Sequence, residues 1–299
     1  MRMNQTEWIN LNCMRIILIG LLACIFTVSA LGKQPQPFCQ ILDQQDDLIW
    51  HVRGGYAEGG KVAGGANLRM LESGGGAGLF YSRTAVGEFD LRFKADATTF
   101  VERGDLRMPD QVAAVRLDLD YVARLQDGYA LRVGIAPGFY SQITHVNMDH
   151  FYYPFLLHGL YAFNPEVTGV FGFNVYPGFD RVLEPRVGVR WGISDFLLLD
   201  LFYPATEVVF RPTVGWALRA GVDFKRKTQY RLKRSDDRHS LIMKETRMYL
   251  GLDHMISPQM RFMFRIGRIV DRDLDFRRGS PARGIDDSGY IQIGIGGVI

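Results

Sequence analysis

Between Val115 and Ala136 the chain alternates with a period of two. Val115, Leu117, Leu119, Tyr121 and Ala123 take every second position, with Arg116, Asp118, Asp120, Val122 and Arg124 between them. On a helix this order would scatter charge around every side. On a strand, where successive side chains point to opposite faces, it makes one apolar and one charged face. Gln126-Asp127-Gly128 then supplies a turn, after which Tyr129, Leu131, Val133 and Ile135 alternate with Ala130, Arg132, Gly134 and Ala136. The segment reads as an antiparallel hairpin.

The arrangement recurs after Asn164-Pro165, where Val167, Gly169, Phe171, Phe173 and Val175 carry the apolar face. It returns after Ser194-Asp195, through Val214 to Phe224, and in Ile291, Ile293 and Ile295. Strands are expected at 87–101, 112–125, 129–140, 151–163, 166–177, 183–192, 195–203, 206–211, 213–225, 240–254, 260–270 and 287–299. Their connections are tight near 127, 164, 194, 212 and 257, and longer at 102–111, 141–150, 178–182, 226–239 and 271–286. A soluble sandwich would also alternate, but tight turns on one side, long loops on the other and an even strand count mark an outer-membrane barrel whose tight turns face the periplasm. The expected fold is therefore all-β, an antiparallel transmembrane barrel of about ten to twelve strands over 87–299. Pro204 and Pro212 cannot donate to a central ladder, so they mark turns or else one bent strand from 195 to 211, which would lower the count.

Met260 to Arg268, MRFMFRIGR, tests this reading locally, because its arginines also have the spacing of a basic helix face. The loop parity favours a strand with Phe262, Phe264 and Ile266 towards lipid and Arg261 and Arg265 towards the lumen. Arg268 would then fall on the lipid face near the strand's outer end, where a long side chain can reach the interface.

Upstream, Arg15 precedes an uncharged apolar run, Ile16–Ala30, that is shorter than a spanning helix and ends in Val28-Ser29-Ala30. Residues 1–30 are expected to be a secretory signal peptide; a short anchor helix, or acylation at Cys24, is the alternative. Cleavage after Ala30 would leave Cys39 as the sole cysteine, with no internal disulfide or cysteine metal cluster. Residues 31–86, with GGYAEGG, VAGGANL and SGGGAG, show no sustained period and read as a flexible glycine-rich segment. Gly74–Gly78 lacks the Lys and Ser/Thr of a phosphate-binding loop. The net charge of +3, with both signs mixed throughout, argues against nucleic acid as a partner.

APGFYSQ (136–142), EPRVGVRWGISDFLLLDLFYPATEVVFRP (184–212), RDLDFRRGSP (272–281) and SGYIQIGIGGVI (288–299) resemble a family of bacterial outer-membrane β-barrels with no assigned biochemical function. The resemblance covers about residues 110–299 and implies a fold and a location, not a reaction.

The candidate functional residues are those expected to face the lumen: Arg116, Asp118, Asp120, Arg132, Arg186, Arg190, Arg219, Asp223, Glu245, Arg247, Arg261 and Arg265, with Asp253. Charges inside a barrel must pair or line water. Unpaired arginines along one wall would favour anions in a narrow pore; complete pairing would make a plug and a structural envelope protein. Small solutes or anions, outer-membrane lipid and lipopolysaccharide, and the barrel-assembly machinery acting on the terminal strand are the expected partners. No cofactor or metal is expected. Lys225, Arg226, Lys227, Arg231, Lys233 and Arg234 are expected at the outer rim or in a surface basic loop, which could meet lipopolysaccharide phosphates. A lipid-modifying barrel enzyme is the alternative in a different class, with His158 or His254 near Ser257 as its residues, and a secreted soluble β-protein is a weaker one. His145, His150 and Asp149 have no compact metal-ligand spacing.

Overall fold

The computed structural model describes residues 48–62, 66–103, 108–125, 128–144, 146–179, 182–232, 240–276 and 283–298. The expected signal peptide, Cys39, His145, Lys233 and Arg234 lie outside these residues.

The strands are β1 (Leu48–Lys61), β2 (Asn67–Arg83), β3 (Gly87–Arg103), β4 (Gln111–Arg124), β5 (Tyr129–Ile135), β6 (Gly138–Gln142), β7 (Phe151–Tyr152), β8 (Phe155–Ala162) and β9 (Val167–Val175). They continue as β10 (Leu183–Ser194), β11 (Leu197–Tyr203), β12 (Ala205–Thr213), β13 (Trp216–Arg231), β14 (Ser240–Ser257), β15 (Met260–Phe276), β16 (Arg283–Ile285) and β17 (Ser288–Val298). Three pairs are collinear pieces of one strand. β5 and β6 both pair with β4, β7 and β8 run along β6 and β5, and β16 and β17 both pair with β15. Two of the breaks fall at Pro137 and Pro154, which lack the ladder donor but keep it usable through their carbonyls: Leu117 N–H donates to Pro137 O at 2.9 Å and Ala136 N–H to Pro154 O at 2.7 Å. The result is a closed antiparallel barrel of fourteen strands, sealed by β1 against β17 over Leu48–Ala57 and Tyr290–Val298.

Two sequence expectations are corrected here. Fourteen strands replace ten to twelve, because the segment expected to be flexible holds β1 and β2, and the barrel begins before residue 87. Gly74, Gly75 and Gly76 stand in the middle of β2, paired with β1 on one side and β3 on the other. The expected basic loop is also partly ladder: Lys225, Arg226, Lys227 and Arg231 belong to β13, which pairs with β14 from Arg226↔Glu245 to Arg231↔Ser240. Pro204 occupies the tight β11–β12 turn, so 195–211 is a hairpin and not one bent strand. MRFMFRIGR is strand β15, with Phe264↔Leu252 and Arg265↔Gly251 in register.

The alternation changes phase along the long strands. In the middle of β14, Met248 and Leu250 point outward at 49% and 64% exposure, while Arg247 and Tyr249 point inward and are buried. Beyond Glu245 it is Leu241 and Met243 that point inward, fully or nearly buried. β15 reaches the same result by another route: Ile266 is exposed on the outside, whereas beyond the positive-φ Asp271 the residues Leu274 and Phe276 lie inside, alternating with Asp273 and Asp275. An apolar exterior suits lipid and an apolar interior suits water outside, so the barrel has a lipid-facing belt surmounted by an outer tier with a soluble-protein core.

β8, β9, β11 and β12 are only 8, 9, 7 and 9 residues long and stop at the top of the belt. β13, β14 and β15, at 16, 18 and 17 residues, continue above it. Past a register shift between Asp223 and Arg226, β13 has no β12 beside it and instead reaches β6, pairing in parallel at Arg231↔Ser141. The outer tier is thus a narrower tube that skips β7–β12. Its interior is filled by Leu68, Met70, Val112, Leu241, Ile269, Leu274, Phe276 and Ile285, against which Tyr140 of β6 packs. Narrow barrels are filled by side chains and wide ones are not, so one wall yields a solid outer tube above a roomier vestibule.

Candidate functional site

The belt carries exposed Val52, Leu71, Phe93, Leu117, Phe171, Val187, Leu201, Leu218, Leu250, Ile266 and Ile293. Trp50, Trp191 and Trp216 all stand exposed at the end with the tight turns, where Tyr129, Tyr161 and Phe163 stack at 4.4 and 4.8 Å between ring centroids. Such an aromatic girdle marks a membrane–water interface.

Inside the belt, charge is the rule, and most of it is paired. Arg116 donates to Asp118 at 3.1 Å and to Asp96 at 3.0 Å. Asp96 also accepts from Arg53 at 2.7 Å, and Asp118 meets Lys94 at 2.9 Å, so one ion-pair chain crosses β1, β3 and β4. Arg132 donates to Asp120 at 3.0 Å. Arg190 grips Asp200 with two bonds of 2.6 and 2.9 Å, both side chains being almost wholly buried. Arg219 donates to Asp253 at 2.8 Å and to Glu207, which also accepts from the Tyr249 hydroxyl at 2.8 Å. Arg247 donates to Glu245 at 2.6 Å and grips Glu72 from the far side of the tube. Asp223 stands opposite Arg247 in the β13–β14 register.

Two candidates differ. Arg186 and Arg265 make no ion pair among the described residues: Arg186 lies 5.7 Å from the centre of the Phe202 ring and Arg265 lies 4.8 Å from that of Tyr249. Cation–π contact holds a guanidinium without neutralising it. Arg265 lines a vestibule cavity of about 210 Å³ with His51, Arg53, Arg92, Met263, Gln292 and Gly294, a lining without a carboxylate. Arg261 lines a second cavity, about 240 Å³, with Arg211, Arg219, Asp253 and Trp216 among others.

The sequence named the arginines and half of their acidic partners, Asp118, Asp120, Glu245 and Asp253, and missed Glu72, Asp96, Asp200 and Glu207. Glu72 and Arg53 stand in strands that were not read as strands. Asp96, Asp200 and Glu207 alternate with apolar neighbours in expected strands, the one signal that could have found them. The enzyme alternative finds its histidines engaged elsewhere: a His158 ring nitrogen bonds Asn174 at 2.9 Å, and His254 stacks on Trp216 at 3.9 Å while the Ser257 hydroxyl accepts from Gln259 N–H.

The model of the family described as a domain of unknown function, DUF6268, matches residues 102–282, more than half of the chain. The chain belongs to this family. The protein is an outer-membrane barrel, as the closed sheet, the lipid-facing belt and the aromatic girdle require. Among solved structures it is similar to an outer membrane channel from Pseudomonas putida F1, at 10% identity over 84% of this chain and 98% of that one, with a TM-score of 0.47. It is similar to a Pseudomonas aeruginosa FadL homologue at 10% identity, 85% and 90% coverage and a TM-score of 0.44. It is similar to the NanC porin at 12% identity, 84% and 100% coverage and 0.40. At such identities the likeness is one of architecture. A search of curated proteins finds no match to the chain.

Proposed function

We propose that this DUF6268 barrel is a porin-like channel of narrow bore whose vestibule admits small anions. The observation that supports it is the cavity lined by His51, Arg53, Arg92 and Arg265, in which Arg53 holds Asp96 and Arg92 holds Asp90 while Arg265 makes no ion pair among the described residues. Rings or walls of cationic side chains in a low-dielectric pore raise the local concentration of anions and repel cations. The filled outer tier keeps the conductance small, and passage requires either its displacement or a route around it. Outer-membrane lipid is the solvent of the belt, and lipopolysaccharide is the natural neighbour of the outer rim.

Single-channel recording of the purified barrel in a salt gradient tests this. The reversal potential should show anion preference, and Arg261→Ala with Arg265→Ala should shift it towards zero. Cation preference would overturn the selectivity. No conductance above background in repeated insertions would leave a structural envelope protein, the reading favoured by the ion-paired wall of Arg116, Arg132, Arg190 and Arg219.

A further inference from the structure

The two-tier wall has a step at the side of the barrel: β8–β12 end at the belt, and the tube above them closes from β13 to β6. Aromatic rings gather there. Tyr140 of β6, Tyr152 of β7 and Phe179 of the β9–β10 loop meet at 4.6–6.1 Å between centroids, and Tyr176 adds a contact of 5.9 Å to Phe179. Directly below this collar, on the inward face of β10, stand Glu184 and then Arg186. Glu184 is already engaged, accepting from the Tyr176 hydroxyl at 3.1 Å and the Asn174 amide at 3.2 Å.

Arg186 makes no ion pair among the described residues; Arg132 and Arg190 act on it as like charges, and Glu184, two positions along the same face, as an opposite one. Arg132 and Arg190 are each committed to an aspartate. His158, buried on β8, faces Arg186 in the strand register through Gly172. A guanidinium beside two others, resting on the face of Phe202 and without an ion pair among the described residues, is a poor arrangement for stability alone, and it is complementary to an anion. Rings above and a cation without an ion pair below match a molecule with both characters.

We propose that this step opens as a side mouth that binds an amphipathic anion, a hydrocarbon chain bearing an acid group, with the chain among Tyr140, Tyr152 and Phe179 and the acid on Arg186. The site lies apart from the Arg265 cavity and rests on the closed outer tier, not on anion conduction.

The test uses the full barrel in lipid nanodiscs and 11-(dansylamino)undecanoate, whose fluorescence rises on leaving water. Saturable binding is expected, weakened about tenfold or more by Arg186→Gln, as loss of a charge-assisted contact implies, restored in part by Arg186→Lys, and weakened also by Phe179→Ala. Arg265→Gln should leave it unchanged while altering the reversal potential. Retained heat-dependent gel migration identifies the variants that fold. Absence of saturable binding, equal loss in Arg265→Gln, or undiminished binding in both Arg186→Gln and Phe179→Ala would overturn the site. Dansylglycine, which carries the acid without the chain, should bind at least about tenfold more weakly; equal affinity would also overturn it. Failure of anion preference with binding intact would instead remove the porin-like reading alone.

Discussion

At the scale of single residues, the lumen is held by charges that cannot be removed one at a time. Arg190 and Asp200 are bound bidentately and almost fully buried. Removing one partner strands the other in a low-dielectric wall, which costs about 3–5 kcal/mol, whereas replacing both with apolar residues of similar volume costs far less. Asp200→Ala should therefore lower the urea midpoint of the detergent-folded barrel well below that of Arg190→Met with Asp200→Leu. The glycines of β2 answer to the same network. A Cβ on Gly74 would lie 2.4 Å from an Asp96 carboxylate oxygen and 3.0 Å from Arg53 Nε, so the absent side chain is the space in which that ion pair lies. Gly74→Val should destabilise the barrel by about 1–3 kcal/mol. Gly215→Ala, whose Cβ would meet nothing within 4 Å, should leave the midpoint unchanged.

At the scale of elements, β1 and β2 supply closure as well as charge. β1 joins β17 to β2, and without the pair two edges of the sheet would stand open to lipid with unmet backbone groups. A chain lacking residues 48–83 should yield no heat-modifiable band and no protease-resistant barrel; a flexible lead-in could be removed without either loss. The twelve strands from β3 onward, with collinear pieces joined, were legible because Leu117, Phe171 and Leu218 alternate with polar or small partners. β1 and β2 were not, because Gly59, Gly74 and Gly76 interrupt the alternation where neighbouring side chains take the room. The top of β15 was hidden for another reason: beyond Asp271 the inner face is apolar, at Leu274 and Phe276, and a pattern sought with its apolar face outward is lost there. The lumen was legible to the same degree: alternation placed Arg265 on the inner face, but nothing local could reveal that Tyr249 and not a carboxylate would face it.

At the scale of the whole molecule, one wall makes two compartments, because β8, β9, β11 and β12 are short. Fourteen strands enclose a charged, partly hollow vestibule in the belt, and the subset that continues upward closes from β13 to β6 around a mainly apolar core. Porin-like conduction and binding at the side mouth both depend on that division. β14 runs through both compartments, and its inward positions Leu241, Met243, Gly251 and Asp253 sample it from top to bottom. The most direct test is to place single cysteines at these four positions, in a background without Cys39, and to follow their rates of reaction with a small water-soluble thiol reagent in lipid bilayers. Cysteines at 251 and 253 should react readily and those at 241 and 243 should be protected. Equal reactivity along the whole strand would mean a continuous water-filled bore and would contradict the two-tier barrel.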